Sequence, residues 1–261
     1  MPFHHSGDIR FYTFEPLDSA GVIHAVFTRQ GGVSSGQWTS LNLGGTVGDE
    51  PALVAENRRL AFATIDRSQA TQFDVWQVHG SQVVCAKAPR LPGVPHQQAD
   101  VILTNRPEIT LFMRFADCVP ILLFDPVRRV VGLVHSGWKG AIEKVSASAV
   151  HTMHKEYGSN PADILAAIGP SIGVHHYPVG SEVALRVRAV FEEQADSLLL
   201  NHDGRVQFDL WEANRLTLVQ TGVRNIDVAG ICTACHLDDW YSHRAEGGRT
   251  GRFGVLIALG S

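Results

Sequence analysis

Charge of one sign, cysteine and long apolar runs are all scarce in this chain, and each scarcity removes a class of function. Lysine and arginine number 22 against 26 acidic residues, for a net charge of −4, and no long run of either sign occurs. Nucleic-acid binders carry a basic stripe or face, so no nucleic-acid partner is expected. Two or three well-placed arginines would still suffice for a small anion. Apolar runs such as Ile121–Phe124 are far too short to span a bilayer, and no membrane partner is expected. The first residues, MPFHHSGDIRFYTF, lack the apolar core and cleavage pattern of a signal peptide. Four cysteines in 261 residues do not make a disulfide scaffold. Together these features point to a reducing, cytoplasmic setting in which cysteine serves metal binding or catalysis rather than cross-linking.

Several catalytic patterns are missing as well. Among 13 histidines no two stand two residues apart, which argues against the His-x-His pairs of a conventional multicopper oxidase. The H-x-E and P-C-x-x-C signature of zinc deaminases and the P-loop are also lacking. Gly169-Pro-Ser171-Ile-Gly173 matches a hydrolase nucleophile motif, but Pro178 and Gly180 interrupt the helix that should follow it. Cys232-Thr-Ala-Cys235-His236 matches a c-type haem attachment site without an export signal to go with it. A Gly-rich loop follows where a thioredoxin-like motif would open a helix, so these thiols read as buried or half-buried groups near a site.

What is present is an ordinary soluble composition, 44% hydrophobic and 18% charged, enough for a sizeable core. No repeat or linker divides residues 1–261, so a single domain is expected. Strand-like runs occur at Val22–Thr28, Asp74–Val78, Gln82–Ala86, Asp100–Thr104, Ile109–Phe115, Ile121–Phe124, Val130–Val134, Ile164–Ile168, Ile226–Ile231 and Gly254–Leu259. Helical spacing links Ile142, Val145, Ala149 and Met153, and a similar stretch covers Ser181 to Glu193. Asp209 with Glu212 fits a capping box opening a helix through Val219, and Pro51 suits a first turn. Strands cluster instead of alternating with helices, which indicates an α+β fold.

Three segments share one design, an apolar strand followed by a polar turn with a potential metal ligand. They are Val75-Trp-Gln77-Val-His79-Gly80, Phe112-Met-Arg-Phe-Ala-Asp117-Cys118 and Gly132-Leu-Val-His135-Ser-Gly137-Trp-Lys139-Gly140. Two imidazoles and one thiolate suit zinc and leave a fourth position for water. Taken singly, each of these residues is better explained as a packed histidine or an inert buried cysteine.

The blocks FTRQGGVSSG–SLNLGGTVGD, AENRRL, WQVHGSQVV, ADVILTN, ADCVPILLFD, VHSGWKGAIEKV, AIGPSIGVHHYPVG, DLWEANRLTL and ICTACHLDDWYSHRAEGGRTGR change that weight. From about residue 22 onward the chain closely resembles the laccase-domain, or YfiH-like, purine nucleoside phosphorylase family, formerly called multicopper polyphenol oxidoreductases. The resemblance implies His79, Cys118 and His135 as metal ligands and catalytic residues, with zinc as the metal and copper as the alternative. It implies a layered α/β/β/α sandwich with mixed sheets. It also implies phosphorolysis of adenosine, inosine, guanosine and methylthioadenosine, with deamination of adenosine, so that purine nucleosides and phosphate are the expected partners. Ser136 stands where the family usually has Ala, Lys139 where Arg is common, and SHRAEGGRTGR where two adjacent arginines are frequent. The last departure removes one arginine and leaves Arg244, Arg249 and Arg252.

Expected substrate-binding residues are Asn42, Asn57, Arg58, Gln77, Lys139 and Arg249. Asn57 shares a helical stripe with Leu53, Val54, Leu60 and Ala61, and a polar group there needs partners, which either a ligand or the backbone can supply. Arg58 borders that stripe, whereas Arg59 points about 100° further round, toward solvent. Asp117 and Lys139 are candidate proton donors, and Trp76 and Trp138 either stack on a purine or pack in the interior.

Overall fold

Strand β9 (Val130–Ser136) shows how the architecture arises. Successive side chains on a strand point to opposite faces. Val130 and Val134 belong to a core with Val145, Ala149, Val150 and Met153, whereas Val131 and Leu133 belong to a second core with Leu111, Met113, Val255 and Ile257. One face thus meets helices and the other meets a second sheet.

The computed structural model describes residues 2–260. The first six-stranded sheet runs in the order β1 (Phe3–Ser6), β2 (Ile9–Tyr12), β3 (Ile23–Phe27), β14 (Phe253–Ala258), β7 (Thr110–Phe115) and β4 (Gln72–Phe73). The second runs β13 (Asn225–Val228), β10 (Leu165–Ile168), β8 (Val119–Asp125), β9, β6 (Val101–Thr104) and β5 (Val83–Cys85). A short hairpin joins β11 (Leu199–His202) to β12 (Arg205–Phe208). Both large sheets are mixed: β4 with β7, β5 with β6 and β10 with β13 pair parallel, and the other pairings are antiparallel.

Among the described residues, seven α-helices cover the outer faces or link the strands: α1 (Glu15–Ser19), α2 (Pro51–Thr64), α3 (Trp138–Ile142), α4 (Val145–Tyr157), α5 (Ser181–Phe191), α6 (Ala195–Leu198) and α7 (Leu210–Gln220). Residues of α3 to α7 share the core that lies on the second sheet. Ala61 and Phe62 of α2 share a smaller core with Leu41, Leu43, Phe112 and Leu256 on the outer face of the first. The result is the α+β layered sandwich that the sequence led us to expect, with two mixed sheets between helical layers.

Local departures have local causes. The segment Asp74–Val78 is no regular strand. Trp76 pairs its backbone with the loop at Gln97, and Val75 O accepts from the Arg114 guanidinium at 2.7 Å, so side chains replace part of a ladder. The helical spacing from Ile142 to Met153 is divided between α3 and α4, because Lys144 adopts the left-handed region at φ 54°. Asp209 does cap α7 by accepting from Glu212 N at 3.0 Å, but Glu212 turns to Arg215 instead of completing the box. Strand β1 and the β11–β12 hairpin carry too many polar residues to be read from the sequence, and β2 is only four residues long and interrupted by Arg10. Ser171 is fully buried and accepts from Trp211 Nε1 at 2.6 Å, which agrees with its reading as a turn residue.

Candidate metal centre and its cavity

His135 is on β9, not in the turn beyond it. Its side chain shares the inter-sheet face with Val131 and Leu133, at the end of that core, and its ring centroid lies 5.4 Å from that of Phe115. Antiparallel register does the rest. Pairing of Pro120 with His135 and of Val119 with Ser136 carries Cys118 to the vicinity of Gly137. An added Cβ at Gly137 would stand 3.0 Å from Cys118 Sγ and 3.2 Å from His79 Nδ1, so glycine there leaves room for both side chains. The ligand atoms of His79, Cys118 and His135 all lie within 4.8 Å of one another. The structure therefore brings together the three residues that three separate segments supplied.

The surroundings hold this cluster in place. Asp100 is fully buried, and its carboxylate contacts His135 Nδ1 at 2.7 Å. The same carboxylate accepts from the backbone N–H groups of Val78, His79 and Gly80 at 3.1, 3.1 and 2.7 Å. One acid thus orients the histidine on the strand and fastens the turn bearing the other. His79 and Asp117 both sit at positive φ, 60° and 80°, an uncommon conformation for residues with a Cβ.

Burial by itself would raise the Cys118 pKa, but the charge of His135 and hydrogen bonds from His135 and His79 bring it down to about 6. Burial by itself would lower the His135 pKa, yet Cys118 and Asp100 raise it to about 9. Thiolate and imidazolium thus stabilise each other in this pair, and an ion bound there would displace the proton on His135 Nε2. A thiolate, two imidazoles and a carboxylate bonded to one of them make a donor set that fits zinc or another borderline-soft ion. His79, Cys118 and His135 would hold such an ion.

The cluster lines a cavity of about 510 Å³, bordered also by Arg58, Arg114, Arg252, Trp76, Gln77, His96 and His243. That size is usual for a small-molecule site. A larger hollow of about 660 Å³ near Pro16 and Arg224 has no histidine or cysteine in its lining. The three arginines come from the far side of the first sheet, where Arg58 and Arg114 each lie over the Phe112 ring, at 5.6 and 5.5 Å. Arg58 gives Nε and Nη2 to Leu43 O, Arg114 bonds Asp74 and Val75 O, and Arg252 gives Nη1 to Thr250 O and Gly251 O. Burial, and then repulsion from Arg114, lowers the Arg58 pKa to about 10, which leaves it charged at neutral pH.

The other expected site residues fall in different places. Gln77 lines the cavity, while its amide both donates to Arg114 O and accepts from Arg114 N. Asn57 is fully buried, accepting from Val33 N and donating to Ser34 Oγ, Ser40 O and Asn42 O. Asn42 is equally buried and bonds Gly44, Asp49 and Arg252 N. Neither asparagine lines the cavity. Lys139 is exposed beside the Trp138 ring and Arg249 is exposed on its loop, both outside the cavity lining. Asp117 has both oxygens engaged, by Thr233 Oγ1 at 2.7 Å and Arg244 N at 2.6 Å. Asp100, Arg114 and His243 were not among the expected residues. A charged residue within the apolar strand TLFMRF was the available signal for Arg114.

Fold and site define a layered α+β protein with a candidate His–Cys–His metal centre at the edge of an arginine-lined cavity. The chain belongs to the YfiH-like purine nucleoside phosphorylase family, and residues 23–260 match the family described as multi-copper polyphenol oxidoreductase laccase. It is 38% identical over 238 residues to a purine nucleoside phosphorylase of Deinococcus radiodurans, covering 91% of this chain and 89% of that protein. It is 36% identical over 248 residues to purine nucleoside phosphorylase YlmD of Bacillus subtilis, covering 91% and 88%. Among solved structures it is similar to the hypothetical protein YfiH of Bacillus licheniformis, with a TM-score of 0.91, 33% identity and 99% of each chain covered. YlmD of Geobacillus stearothermophilus gives a TM-score of 0.92 at 30% identity, covering 100% of this chain and 99% of that one. No helix among the described residues is long and apolar enough to cross a membrane.

Proposed function

We propose that this protein is a zinc-dependent purine nucleoside phosphorylase acting on adenosine, inosine, guanosine and methylthioadenosine, and that it also deaminates adenosine. The observation that carries this reading is the meeting of His79, Cys118 and His135 with Arg58, Arg114 and Arg252 around one cavity. The names of the relatives from Deinococcus radiodurans and Bacillus subtilis support it. A zinc ion held by the two imidazoles and the thiolate would supply Lewis acidity to a bound purine or water.

In phosphorolysis a phosphate oxygen bonds to the anomeric carbon as the glycosidic C–N bond breaks, and the purine leaves with that electron pair and takes up a proton. After their contacts within the protein, Arg58 retains Nη1 and Arg252 retains Nε and Nη2 without a hydrogen bond among the described residues. Guanidinium forks match phosphate oxygens, so these two arginines hold phosphate in our reading. Trp76, half exposed at the cavity, offers a ring face to the base. Asp117 is already bonded through both oxygens and Lys139 lies outside the cavity, so His243 takes the role of proton donor to the purine. In deamination, water replaces the amino group at C6 and ammonia leaves. Asp100 keeps the proton on His135 Nδ1, so that Nε2 is the nitrogen left for an ion.

A copper-dependent polyphenol oxidoreductase is the second reading, because two imidazoles and a thiolate also suit copper. The test is chromatography of inosine and adenosine incubated with the protein, with and without phosphate, alongside metal analysis of protein purified without added metal. Base release from inosine that requires phosphate, adenosine deamination that does not, and zinc as the bound metal are expected. Equal base release without phosphate would indicate a nucleoside hydrolase. Copper as the dominant metal, with no nucleoside turnover, would favour the oxidase.

A further inference from the structure

The C-x-x-C of the sequence, Cys232-Thr-Ala-Cys235, does not stand alone in the structure. It faces His175 and His176, and the four ligand atoms all lie within 4.8 Å of one another. We propose that His175, His176, Cys232 and Cys235 bind a second zinc ion of structural type, separate from the one read at His79, Cys118 and His135.

Two S···N separations match that ion and a third is shorter, so His175 would shift slightly on binding. Bonds of about 2.3 Å to sulfur and about 2.0–2.1 Å to nitrogen, at tetrahedral angles, set each S···N edge at roughly 3.5–3.6 Å. His176 Nδ1 stands 3.6 Å from Cys232 Sγ and 3.5 Å from Cys235 Sγ, and His175 Nε2 stands 3.1 Å from Cys235 Sγ. Two imidazoles and two thiolates complete a closed set with no open position, which is the pattern of a structural site. Binding replaces two S–H bonds by two Zn–S bonds, and both protons leave to solvent.

The surrounding backbone has the form such a site needs. Cys235 N donates to Cys232 O at 3.2 Å, a turn that sets both thiols together. Gly173 N donates to Cys232 Sγ at 3.2 Å, a contact that supports a thiolate. An added Cβ at Gly173 would come within 2.7 Å of His175 Cε1 and 3.2 Å of Cys232 Cβ, so that position must stay without a side chain for the two to approach. The two loops are already laced together, with Ser171 N donating to Ile231 O and Thr233 N donating to Ser171 O. Thr233 then reaches Asp117, the neighbour of Cys118, at 2.7 Å. A zinc here would fasten the loop that leads on to His243 and Arg252, and through Thr233 it would steady the turn carrying Cys118.

The test is zinc counted per chain on the full-length protein, purified and dialysed with a non-thiol reductant present. The wild type is expected to hold two equivalents, Cys232→Ser/Cys235→Ser one, and His135→Ala one. Because Cys232 is buried, His175→Ala/His176→Ala, which alters only exposed residues, serves as a second variant and should lose the same equivalent. After cobalt replacement, the thiolate-to-cobalt absorption of a two-thiolate site should persist in Cys118→Ser and vanish in Cys232→Ser/Cys235→Ser. Wild-type zinc that is lost entirely in His135→Ala, or zinc and cobalt signals unchanged in both the cysteine and histidine double variants, would overturn the proposal. Failure of the nucleoside assays would leave these counts standing, so the two readings fall separately.

Discussion

Asp100 grips His135 at two points: its carboxylate meets the ring Nδ1 at 2.7 Å, and its backbone carbonyl accepts from His135 N at 2.8 Å. The carboxylate has no spare capacity, since the turn from Val78 to Gly80 occupies the rest of it. In Asp100→Asn, an amide group must point at N–H donors on one side or the other. Second-layer partners of metal ligands are worth about 10–100-fold in affinity, and a buried donor left unpaired costs about 1–3 kcal/mol. Chelator competition should show zinc bound about 10–100-fold more weakly, with a lowered Tm. Unchanged zinc affinity would contradict the orienting role of Asp100.

Gly137→Ala separates the candidate metal centre from the fold. At φ −84° and ψ −173° alanine fits the backbone, so the Tm should stay close to that of the wild type. The new methyl would press on Cys118 Sγ and His79 Nδ1, and zinc content after dialysis should fall. Full zinc occupancy would show that the cluster adjusts freely.

Arg58→Ala tests the phosphate reading. Loss of a charge-assisted contact worth roughly 1.5–3 kcal/mol predicts a drop of about ten- to hundred-fold in phosphate-dependent turnover at low phosphate. Zinc content and phosphate-free deamination of adenosine should change little. Arg58 also donates twice to Leu43 O, so a thermal melt of the same variant must accompany the kinetics. An unchanged apparent KM for phosphate would rule the role out.

Acid stability should depend on Asp74, which is buried against Arg90, Arg114 and His96. Burial acts to raise its pKa, but the charge of Arg114 and hydrogen bonds from Arg90 and Gln72 prevail and hold it below its ordinary 3.8. A depressed folded pKa means that the stabilisation is complete above the unfolded value and is lost as pH falls through the folded one. Asp74→Asn should therefore lower stability at pH 7, by on the order of 3 kcal/mol. The gap between variant and wild type should narrow below about pH 4. Parallel melting curves across pH 3 to 7 would contradict this.

The sequence made the candidate metal ligands legible because each ends or closes an apolar run and each falls in a family block. Asp100 was not legible, since nothing before the pairing of Val101 with Val134 puts it opposite His135. Arg114 was hidden for a related reason: alternation along β7 sends it, with Phe112, to the face away from the inter-sheet core. Asp74–Val78 has a strand-like composition, but its backbone is met by the side chains of Gln77 and Arg114. The C-x-x-C had no meaning without the loop that brings His175 and His176 up to it.

Strand β14 is buried throughout and lies between β3 and β7, with Val255 opposite both Val26 and Met113. On the ribosome β3 must therefore wait, with one edge unpaired, while everything from Thr28 to Arg252 is made. At about 5–20 residues per second that interval runs to ten seconds or more, long enough for open edges to find wrong partners. The second sheet can be completed once β13 is made, and the first sheet closes last. Chaperone demand should concentrate in that interval.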